Sequence, residues 1–427
     1  MTSEKKPTEA FVWVWLPDAT EPVVAGRLFA SGETLLFNYG KSYLARHDAI
    51  SLYEPELPLK SGVLPLTAGL SMPNCLRDAA PDAWGRRVIV NHKFGKGGNT
   101  IDTTELSELT YLLASGSDRM GALDFQPSAD RYVARDAAQA SLEELQGATV
   151  RIERGIPLTP ELDSALLHAS SIGGARPKAS ITSKNRKFIA KFSSQNDLYN
   201  VVKAEFVAMR LAAKAGITAA SVRLERAAGK DVLLVERFDR EKAGTGWKRR
   251  AMVSALTLLE LDEMMARYAS YEDLATIIRH RFIAPKQTLK ELYRRMVFNV
   301  LCGNTDDHAR NHAAYWNGSE LSLAPAYDIC PQSRTGGEAN QAMLIMGEQK
   351  ASQLSLCIKA APLFLLSGEQ AVGLIANQVK TIKTFWSEVC DAASLGEVDR
   401  NFLWGRQFLN AYAFVDAPEE LTALAPS

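Results

Sequence analysis

The sequence predicts an α+β fold in which short strands and helices give way to a helix-rich second half. Three observations support this class. Residues 11–53 contain short apolar runs separated by turn-forming residues, which is typical of strands. Residues 158–240 contain further strand patterns around one helix, in which Val202, Phe206, Met209 and Ala213 recur at helical spacing. Apart from one hairpin, residues 254–427 have mostly helical periodicity.

Length and charge limit the classes of protein that the chain could be. Its 427 residues predict two or three domains. Because 49 basic residues balance 49 acidic ones, broad charge-driven binding to nucleic acid or to anionic membranes by this chain alone is not expected. The first ten residues are polar, and no window approaches the ~20 apolar residues that cross a bilayer. We therefore expect a cytoplasmic protein without a membrane partner.

The five cysteines are too scattered for a disulfide framework, and no two of them form a Cys-x-x-Cys pair. A structural zinc site is therefore not expected either. Cys302 and Cys330 lie beside the polar segments discussed below, where we interpret them as small apolar fillers.

Composition and element patterns divide the chain into four consecutive parts. An α+β domain is predicted for residues 1–127, and the polar segment 128–157 is predicted to be a linker. A β-rich lobe follows in residues 158–240, and a helix-rich lobe in residues 241–427. Clefts between two such lobes are common ligand sites.

The densest polar cluster is Gly303-Asn304-Thr305-Asp306-Asp307-His308-Ala309-Arg310-Asn311, directly after a predicted amphipathic helix that ends at Cys302. A predicted strand follows, then the turn Asn317-Gly318 and a second predicted strand, which together indicate a hairpin. That hairpin brings Tyr327-Asp328 back beside the cluster. The order is an acid, four residues, an asparagine, a hairpin and a second acid.

Residues in this order supply the chemical groups that phosphoryl transfer needs. One carboxylate orients the attacking hydroxyl and accepts its proton, while an amide oxygen and a second carboxylate hold Mg²⁺ against the phosphates. Kinase catalytic loops have the same spacing as Asp306 and Asn311, and their metal-binding aspartate also follows a hairpin, as Asp328 does here. The alternative is a polar connection between a helix and a strand, in which these residues only cap the helix and form the turn.

Two further segments could contact phosphates. Lys191 lies near the end of a predicted apolar strand, and Glu205 on the following helix could hold its ammonium; alternatively, Lys191 faces solvent on an edge strand. The turn at Gly173-Gly174 lacks the Walker pattern, so its glycines either let backbone N–H groups approach a phosphate or only permit a tight turn.

A metal site formed by Asp306, His308 and His312 is not expected. A His-x-x-x-His pair needs a helix to direct both rings to one ion, whereas this segment is predicted as a loop followed by a strand.

These residues resemble the HipA serine/threonine kinases of type II toxin–antitoxin modules. The resemblance rests on six segments in the same order and spacing, and it extends over nearly the whole chain: 81–87, 117–123, 171–178, 236–240, 304–311 and 327–328. It implies a bilobal protein-kinase-like fold with an additional N-terminal α+β domain and a helix-rich C-terminal lobe.

The resemblance also implies roles for individual residues. Asp306 corresponds to the catalytic base and Lys191 to the phosphate-contacting lysine, while Asn311 and Asp328 correspond to the Mg²⁺ ligands. Ser171 matches the serine that the family autophosphorylates to silence the enzyme, and the adjacent Ser170 is a second candidate for the modification. The remaining implied ATP contacts are the phosphate loop Gly173, Gly174, Ala175, Arg176, Pro177 and Lys178, the hinge Glu236, Arg237 and Phe238, and the lining residues His308, Ala309, Arg310, Asn311, Tyr327, Asp328, Ile329 and Cys330.

Partners follow from the same resemblance. HipA proteins are neutralised by a small helix-turn-helix antitoxin of the HipB type, and the complex represses its own operon, so operator DNA is expected mainly through the antitoxin. The family's protein targets are aminoacyl-tRNA synthetases, and ATP with Mg²⁺ is the implied cofactor pair.

Two other functions are compatible with the same residues. A small-molecule phosphotransferase would share the kinase cleft but modify a metabolite; the Ser171 segment and the first domain argue against it. A catalytically silent corepressor scaffold would need no intact catalytic residues, whereas this sequence contains Lys191, Asp306, Asn311 and Asp328.

Overall fold

The computed structural model describes residues 6–95, 101–136, 140–154, 156–169, 171, 174–194, 197–334 and 336–426. Most strands lie before residue 255, and helices dominate after it apart from one hairpin, as predicted. The strands are β1 Glu9–Val14, β2 Val23–Ser31, β3 Thr34–Tyr39, β4 Val63–Leu64, β5 Leu123–Gln126, β6 Lys178–Ser183, β7 Arg186–Phe192, β8 Val222–Ala227, β9 Lys230–Glu236, β10 Arg240–Ala243, β11 Gly246–Arg249, β12 Ala251–Ser254, β13 Ala313–Trp316 and β14 Leu321–Leu323.

The α-helices are α1 Lys41–Leu44, α2 Asn74–Arg77, α3 Ala83–Phe94, α4 Glu108–Ala114, α5 Leu142–Glu153, α6 Pro160–Ala169, α7 Val201–Lys214, α8 Ala255–Leu258, α9 Tyr271–Arg281, α10 Pro285–Cys302, α11 Leu354–Ala360, α12 Gly368–Ala392, α13 Glu397–Leu403 and α14 Glu419–Thr422. Short 3-10 turns lie at Thr103–Glu105, Glu263–Tyr268, Ala309–Asn311, Ala361–Phe364 and Ala411–Phe414. Within the described residues, no helix is both long and apolar enough to cross a membrane.

The chain forms two compact units. Unit 1 comprises Met1–Asn196, Glu225–Val253 and Tyr315–Ser319, and unit 2 comprises Asp197–Leu224, Ser254–Ala314 and Glu320–Ser427. The first part of the chain and strands β6 and β7 therefore belong to one unit. None of the three boundaries between the four predicted parts coincides with a boundary of this division.

Two larger sheets lie mainly in unit 1, which also contains the two-stranded sheet of β10 and β11. The first large sheet is antiparallel with the order β4-β3-β2-β1-β5, and its interior strand β1 buries Val12 and Val14. The second has the order β6-β7-β9-β8. Its first two strands form a hairpin, in which Ser183 pairs with Arg186 and the turn residue Lys184 has a φ of 53°.

The segment 128–157 differs from its prediction as a linker. It contains α5, which begins with a capping box between Ser141 and Glu144. Leu145, Ala148 and Ile152 then recur at helical spacing and pack into the core of unit 1. The high polar content of the segment hides this stripe, because only one face of α5 is apolar.

Unit 2 is built mainly from helices α7 and α9 to α14. The predicted apolar stripe of α10 is confirmed, since Leu289, Leu292, Met296 and Val300 are all buried. The helix ends at Gly303, whose left-handed conformation terminates it directly before the polar cluster. The core of this unit therefore positions the predicted catalytic loop.

Candidate functional site

The catalytic-loop candidate begins at a glycine that no other residue could replace without strain. Gly303 has a φ of 69°, and a Cβ at this position would lie 2.7 Å from the main-chain oxygen of Gln407. The next residue is held by its neighbours: Asn304 Nδ2 donates to Asn299 Oδ1 at 3.0 Å, and its main-chain N–H donates to the Asn299 carbonyl. The last turn of α10 therefore sets the start of the loop.

Asp306 and Asn311 are joined through the main chain of the loop. The carbonyl of Asp306 accepts hydrogen bonds from the N–H of His308 at 2.9 Å and from Nδ2 of Asn311 at 3.3 Å. Since Nδ2 is engaged in this way, the amide oxygen is the atom that Asn311 can offer to a cation. Oxygen donors of this kind, with a nearby carboxylate, fit a Mg²⁺ ion.

The carboxyl of Asp306 has a perturbed pKa. The residue is exposed, yet partial loss of hydration raises the pKa of Asp306, and the negative charges of Asp328 and Asp307 add to the rise while His308 opposes it. A raised pKa improves an aspartate as a proton acceptor in this position.

Asp307 faces away from solvent and is held by two side chains. The hydroxyl of Tyr271 donates to its carboxylate, and His312 Nε2 lies 3.0 Å from the same oxygen. Burial alone would raise the pKa of Asp307, but these partners outweigh it and hold the pKa below its usual value. Asp307 is thus a support for the loop, and the adjacent Asp306 is the acid available for chemistry.

The second acid arrives through the predicted hairpin. The N–H of Ala324 donates to the Ala313 carbonyl at 2.9 Å, and the hydroxyl of Tyr327 donates to the Arg310 carbonyl at 2.6 Å. Asp328 follows in a left-handed conformation with a φ of 59°, which is uncommon outside glycine and often marks a functional position. The hairpin therefore returns Tyr327 and Asp328 to the catalytic loop, as the sequence predicts.

Other predicted lining residues of unit 2 have buried or engaged side chains. Ala309, Ile329 and Cys330 are buried, and Arg310 Nη2 donates to Glu263 Oε1 at 2.5 Å. Any nucleotide contact from the first three is limited to the main chain. Among the described residues, no three His, Cys, Asp or Glu side chains form a group that could hold a metal ion.

The phosphate-binding candidates of unit 1 include two buried lysines. Lys178 and Lys191 are direct partners in the antiparallel register of β6 and β7, and only 5% and 8% of their surfaces are exposed. Their register places two cationic side chains at neighbouring strand positions, where both are candidates for contact with a phosphate. Lys178, which we predict as part of a loop, is the first residue of β6 in the structure.

The glycine turn lies over the Lys178 side chain. Gly174 has a φ of 112°, and a Cβ at this position would clash with Lys178 Nζ. Ala175 is exposed, Arg176 is half-buried, and the Pro177 carbonyl accepts a hydrogen bond from the N–H of Phe192 at 3.0 Å. Gly173 and Ser170 lie outside the described residues.

At the predicted hinge, the side chain of Arg237 does not serve as a ligand-facing group. Its guanidinium is fully buried and pairs with Asp239 at 2.7 Å and with Asp118 at 3.1 Å. Glu236 pairs with Arg186 at 3.1 Å, and the Phe238 carbonyl accepts a hydrogen bond from the Tyr315 hydroxyl. An adenine contact by Arg237 would therefore have to come from its main chain.

Asp118 is the centre of this buried ionic cluster. Its carboxylate also contacts Lys187 at 2.8 Å and Arg240 at 3.2 Å. Burial would raise the pKa of Asp118, but the surrounding cations, with Arg237 first among them, hold it well below its usual value. The segment 117–123 is thus tied to the segment 236–240 within unit 1.

The predicted site residues fall into both units. Asp306, Asn311, Asp328 and Glu205 belong to unit 2, whereas the phosphate-loop residues, Lys191 and the hinge belong to unit 1. A joint nucleotide site and the Lys191–Glu205 pair therefore stay predictions.

Sequence reasoning left several supporting residues without a role. Asp82 and Trp84 lie in the segment 81–87, and Asp118 lies in the segment 117–123, both of which are part of the family resemblance. Their hydrogen-bond partners lie about a hundred positions away in the sequence. Asp118 and Arg237, for example, are 119 positions apart. No local sequence pattern indicates the role of Tyr271, because an isolated tyrosine at the start of a helix does not reveal its hydrogen-bond partner.

The fold and the acid–asparagine–hairpin–acid order define a protein of the kinase-like class. The family models agree: the HipA-like C-terminal domain matches residues 170–394, and the HipA N-terminal domain matches residues 14–126. The chain belongs to the HipA family, and the resemblance drawn from its sequence is confirmed.

Individual relatives are distant. The chain is 25% identical over 248 residues to a protein of Sinorhizobium fredii provisionally named kinase Y4mE, covering 54% of this chain and 59% of that one. It is 24% identical over 186 residues to the serine/threonine-protein kinase toxin HipA of Shewanella oneidensis, covering 37% and 42% respectively. The chain thus matches about half the length of these relatives.

One solved structure supports the fold over the whole chain. It is the Shewanella oneidensis MR-1 complex of HipA, HipB and operator DNA, with a TM-score of 0.65 and 19% identity, covering 95% of this chain and 98% of the matched chain. The α+β, kinase-like fold class with an additional N-terminal domain is therefore confirmed.

Proposed function

We propose that this protein is an ATP-dependent serine/threonine protein kinase that acts as the toxin of a toxin–antitoxin module. The observation that supports this most strongly is the return of Asp328 to the catalytic loop that carries Asp306, since the hydroxyl of the adjacent Tyr327 donates to the Arg310 carbonyl at 2.6 Å. Asn311, five residues after Asp306, is tied to the same loop by its hydrogen bond to the Asp306 carbonyl.

In the proposed reaction, each of these side chains has a separate task. Asp306 orients the hydroxyl of a serine or threonine and accepts its proton. Asn311, through its amide oxygen, and Asp328, through its carboxylate, would hold Mg²⁺. The ion, when bound, neutralises charge that develops on the phosphates. Asp307 stabilises the loop through its contacts with Tyr271 and His312.

ATP binding is proposed for the lysine pair of unit 1. Lys178 and Lys191 face each other across β6 and β7, and the Gly174 turn lies over the Lys178 ammonium. Phosphate oxygens would accept charge-assisted hydrogen bonds from these two ammonium groups. Lys191 is the residue expected to contact the α- and β-phosphates.

We further propose that autophosphorylation of Ser171 silences the kinase. Its side chain is 1% exposed and its Oγ has no hydrogen-bond partner among the described residues. The segment must therefore open before Ser171 can be phosphorylated. A phosphate would add roughly −1.5 to −2 charge and would not fit the buried position, so the modified segment would stay outside it. Ser170 is the alternative acceptor.

The proposed partners follow from family membership and not from the geometry of this chain. We propose a helix-turn-helix antitoxin of the HipB type, with operator DNA bound mainly through it, because the matched Shewanella complex contains HipA, HipB and operator DNA. The balanced charge of the chain agrees with this arrangement. An aminoacyl-tRNA synthetase is the proposed target, and action on such a target would take place in the cytoplasm.

The test is phosphoryl transfer by the full chain, with Asp306→Asn as the matched variant. Intact mass after incubation with ATP and Mg²⁺ should show one added phosphate that maps to Ser171 or Ser170. Because general-base catalysis contributes about 10²–10⁴-fold, Asp306→Asn should gain almost none while its melting temperature stays the same.

A transfer rate in folded Asp306→Asn equal to that of the wild type would contradict the assignment of the base. Phosphate appearing on an added small molecule, and on neither this chain nor a synthetase, would instead support the small-molecule phosphotransferase. Absence of ATP binding and of transfer would support the scaffold.

A further inference from the structure

The start of α3 has an aspartate at the position where a side chain usually caps the helix. Asp82 is the N-cap residue of α3, and aspartate there normally accepts a hydrogen bond from the second or third N–H of its own helix. Within the part of the chain that the structure describes, Asp82 makes no such bond to α3. Its carboxylate is directed elsewhere.

Asp82 contacts the glycine turn instead. Its Oδ2 accepts a hydrogen bond from the main-chain N–H of Gly174 at 2.8 Å, across 92 residues of sequence. A hydrogen bond between a carboxylate and a main-chain N–H is charge-assisted and stronger than one between neutral groups.

Trp84 adds two more contacts on the same turn. Its main-chain N–H donates to the Gly174 carbonyl at 3.2 Å, and its indole Nε1 donates to the Lys178 carbonyl at 3.0 Å. Trp84 is buried in the core of unit 1, together with apolar residues of α5, β6 and β7. The first turn of α3 therefore holds both ends of the segment 174–178.

We infer that Asp82 and Trp84 are positioning residues for the phosphate loop, an inference that rests on the proposed function. Loops with two adjacent glycines have many accessible conformations, and holding one of them before ATP arrives lowers the entropy cost of binding. Asp82 orients the N–H of Gly174, and Trp84 fixes the position of the turn through its hydrogen bonds to the carbonyls of Gly174 and Lys178. The segment 81–87 thereby gains a role in nucleotide binding without itself being required to touch the nucleotide.

A positioning contact and a contact that only stabilises the fold predict different effects when the contact is removed. Loss of the Asp82 contact should loosen the turn while the core of unit 1 remains folded. The Michaelis constant for ATP should then rise about tenfold, in line with the loss of one charge-assisted hydrogen bond, with little change in kcat at saturating ATP.

The experiment compares four full-length proteins: wild type, Asp82→Ala, Asp82→Asn and Asp102→Ala. Asp102 is the matched control, because it is also an N-cap aspartate of unit 1 but bonds to the N–H of Thr104 in its own turn. Amide hydrogen exchange of the peptide containing residues 174–179 is measured without ATP, and the Michaelis constant for ATP is measured separately. Trp84→Phe, which keeps most of the packing but lacks the indole N–H, is an additional variant in case Asp82→Ala does not fold.

We expect exchange and the Michaelis constant to increase in the order wild type, Asp82→Asn, Asp82→Ala, because asparagine retains an acceptor oxygen without the charge. Asp102→Ala should behave like the wild type in both measurements. Unchanged exchange in Asp82→Ala, or an equal increase in Asp102→Ala, would overturn the inference. So would faster exchange in an active kinase whose Michaelis constant stays the same.

Failure of the proposed function has a different signature. If wild-type protein neither binds ATP nor transfers phosphate while Asp82→Ala still exchanges faster, the contact stands and the kinase assignment is overturned together with the positioning role.

Discussion

The catalytic loop and the phosphate loop both depend on a glycine with positive φ, but they are held in different ways. In the catalytic loop, most hydrogen bonds join residues two to five positions apart, such as Asn304 with Asn299 and Asn311 with Asp306. In the phosphate loop, Gly174 and Lys178 are also held by residues 92 and 94 positions earlier in the chain. The first loop is organised by its own sequence, whereas the second depends on the N-terminal part of the protein.

The hinge segment follows the pattern of the phosphate loop. Arg237 and Arg240 are held by Asp118 and by the Arg119 carbonyl, which lie about 120 residues earlier. Both unit 1 segments proposed to contact ATP are therefore supported by residues 81–121. This offers a physical reason for an additional N-terminal domain in a kinase-like protein: it orients elements that the lobe alone would leave less constrained.

The largest expected effect comes from breaking the long-range support at Asp118. Asp118→Asn removes the carboxylate from a buried cluster containing Arg237 and Arg240, leaving their charges poorly compensated. We expect the free energy of unfolding of unit 1 to fall by about 3–5 kcal/mol, as measured by urea denaturation. Asp48→Asn is the control, since its pair with Arg46 is exposed and its loss should leave stability nearly unchanged.

The same cluster has a defined pH dependence. The pKa of Asp118 is lower in the folded protein than in the unfolded chain, where it is about 3.9. Its stabilising contribution is therefore fully present above that value and is lost as pH falls through the lower, folded-state pKa. An acid denaturation midpoint that is the same for wild type and Asp118→Asn would contradict this assignment.

The two glycines allow a direct test of the contrast between the loops. In Gly303→Ala the new Cβ would meet the main chain of Gln407, so global stability should fall by about 2–3 kcal/mol. In Gly174→Ala the new Cβ would meet the movable end of Lys178. We therefore expect a smaller loss of stability, with a higher Michaelis constant for ATP.

Equal losses of stability in the two glycine variants, measured by thermal unfolding, would mean that the phosphate loop is as tightly integrated as the catalytic loop. The comparison between them would then fail.

The smallest expected effect concerns the pH dependence of catalysis. Asp306 must be deprotonated to act as a base, and its raised pKa places the acidic limb of the rate profile above that of an ordinary aspartate. Because His308 opposes the rise, His308→Ala should move this limb to higher pH. The profile of kcat/KM against pH, measured for both proteins, tests this. A limb that stays in place or moves to lower pH would show that His308 does not act on Asp306.

The sequence alone determined the features that depend on near neighbours. The amphipathic helix α10, the β6–β7 hairpin and the order of Asp306, Asn311 and Asp328 are all encoded within short stretches, because helix periodicity, turn residues and loop hydrogen bonds act over a few positions. The family resemblance came from the same local signals, and the family models confirm it.

Only the tertiary structure decided which distant side chains support these elements. A capping box and an apolar stripe were present in 128–157, yet its polar composition predicted a linker, and only packing against the core of unit 1 shows that α5 is structural. Likewise, Asp82 could have capped α3 and Arg237 could have faced a ligand. An aspartate or an arginine can satisfy its charge with many partners, and the choice among them is made by the fold that brings Gly174 and Asp118 within hydrogen-bonding distance.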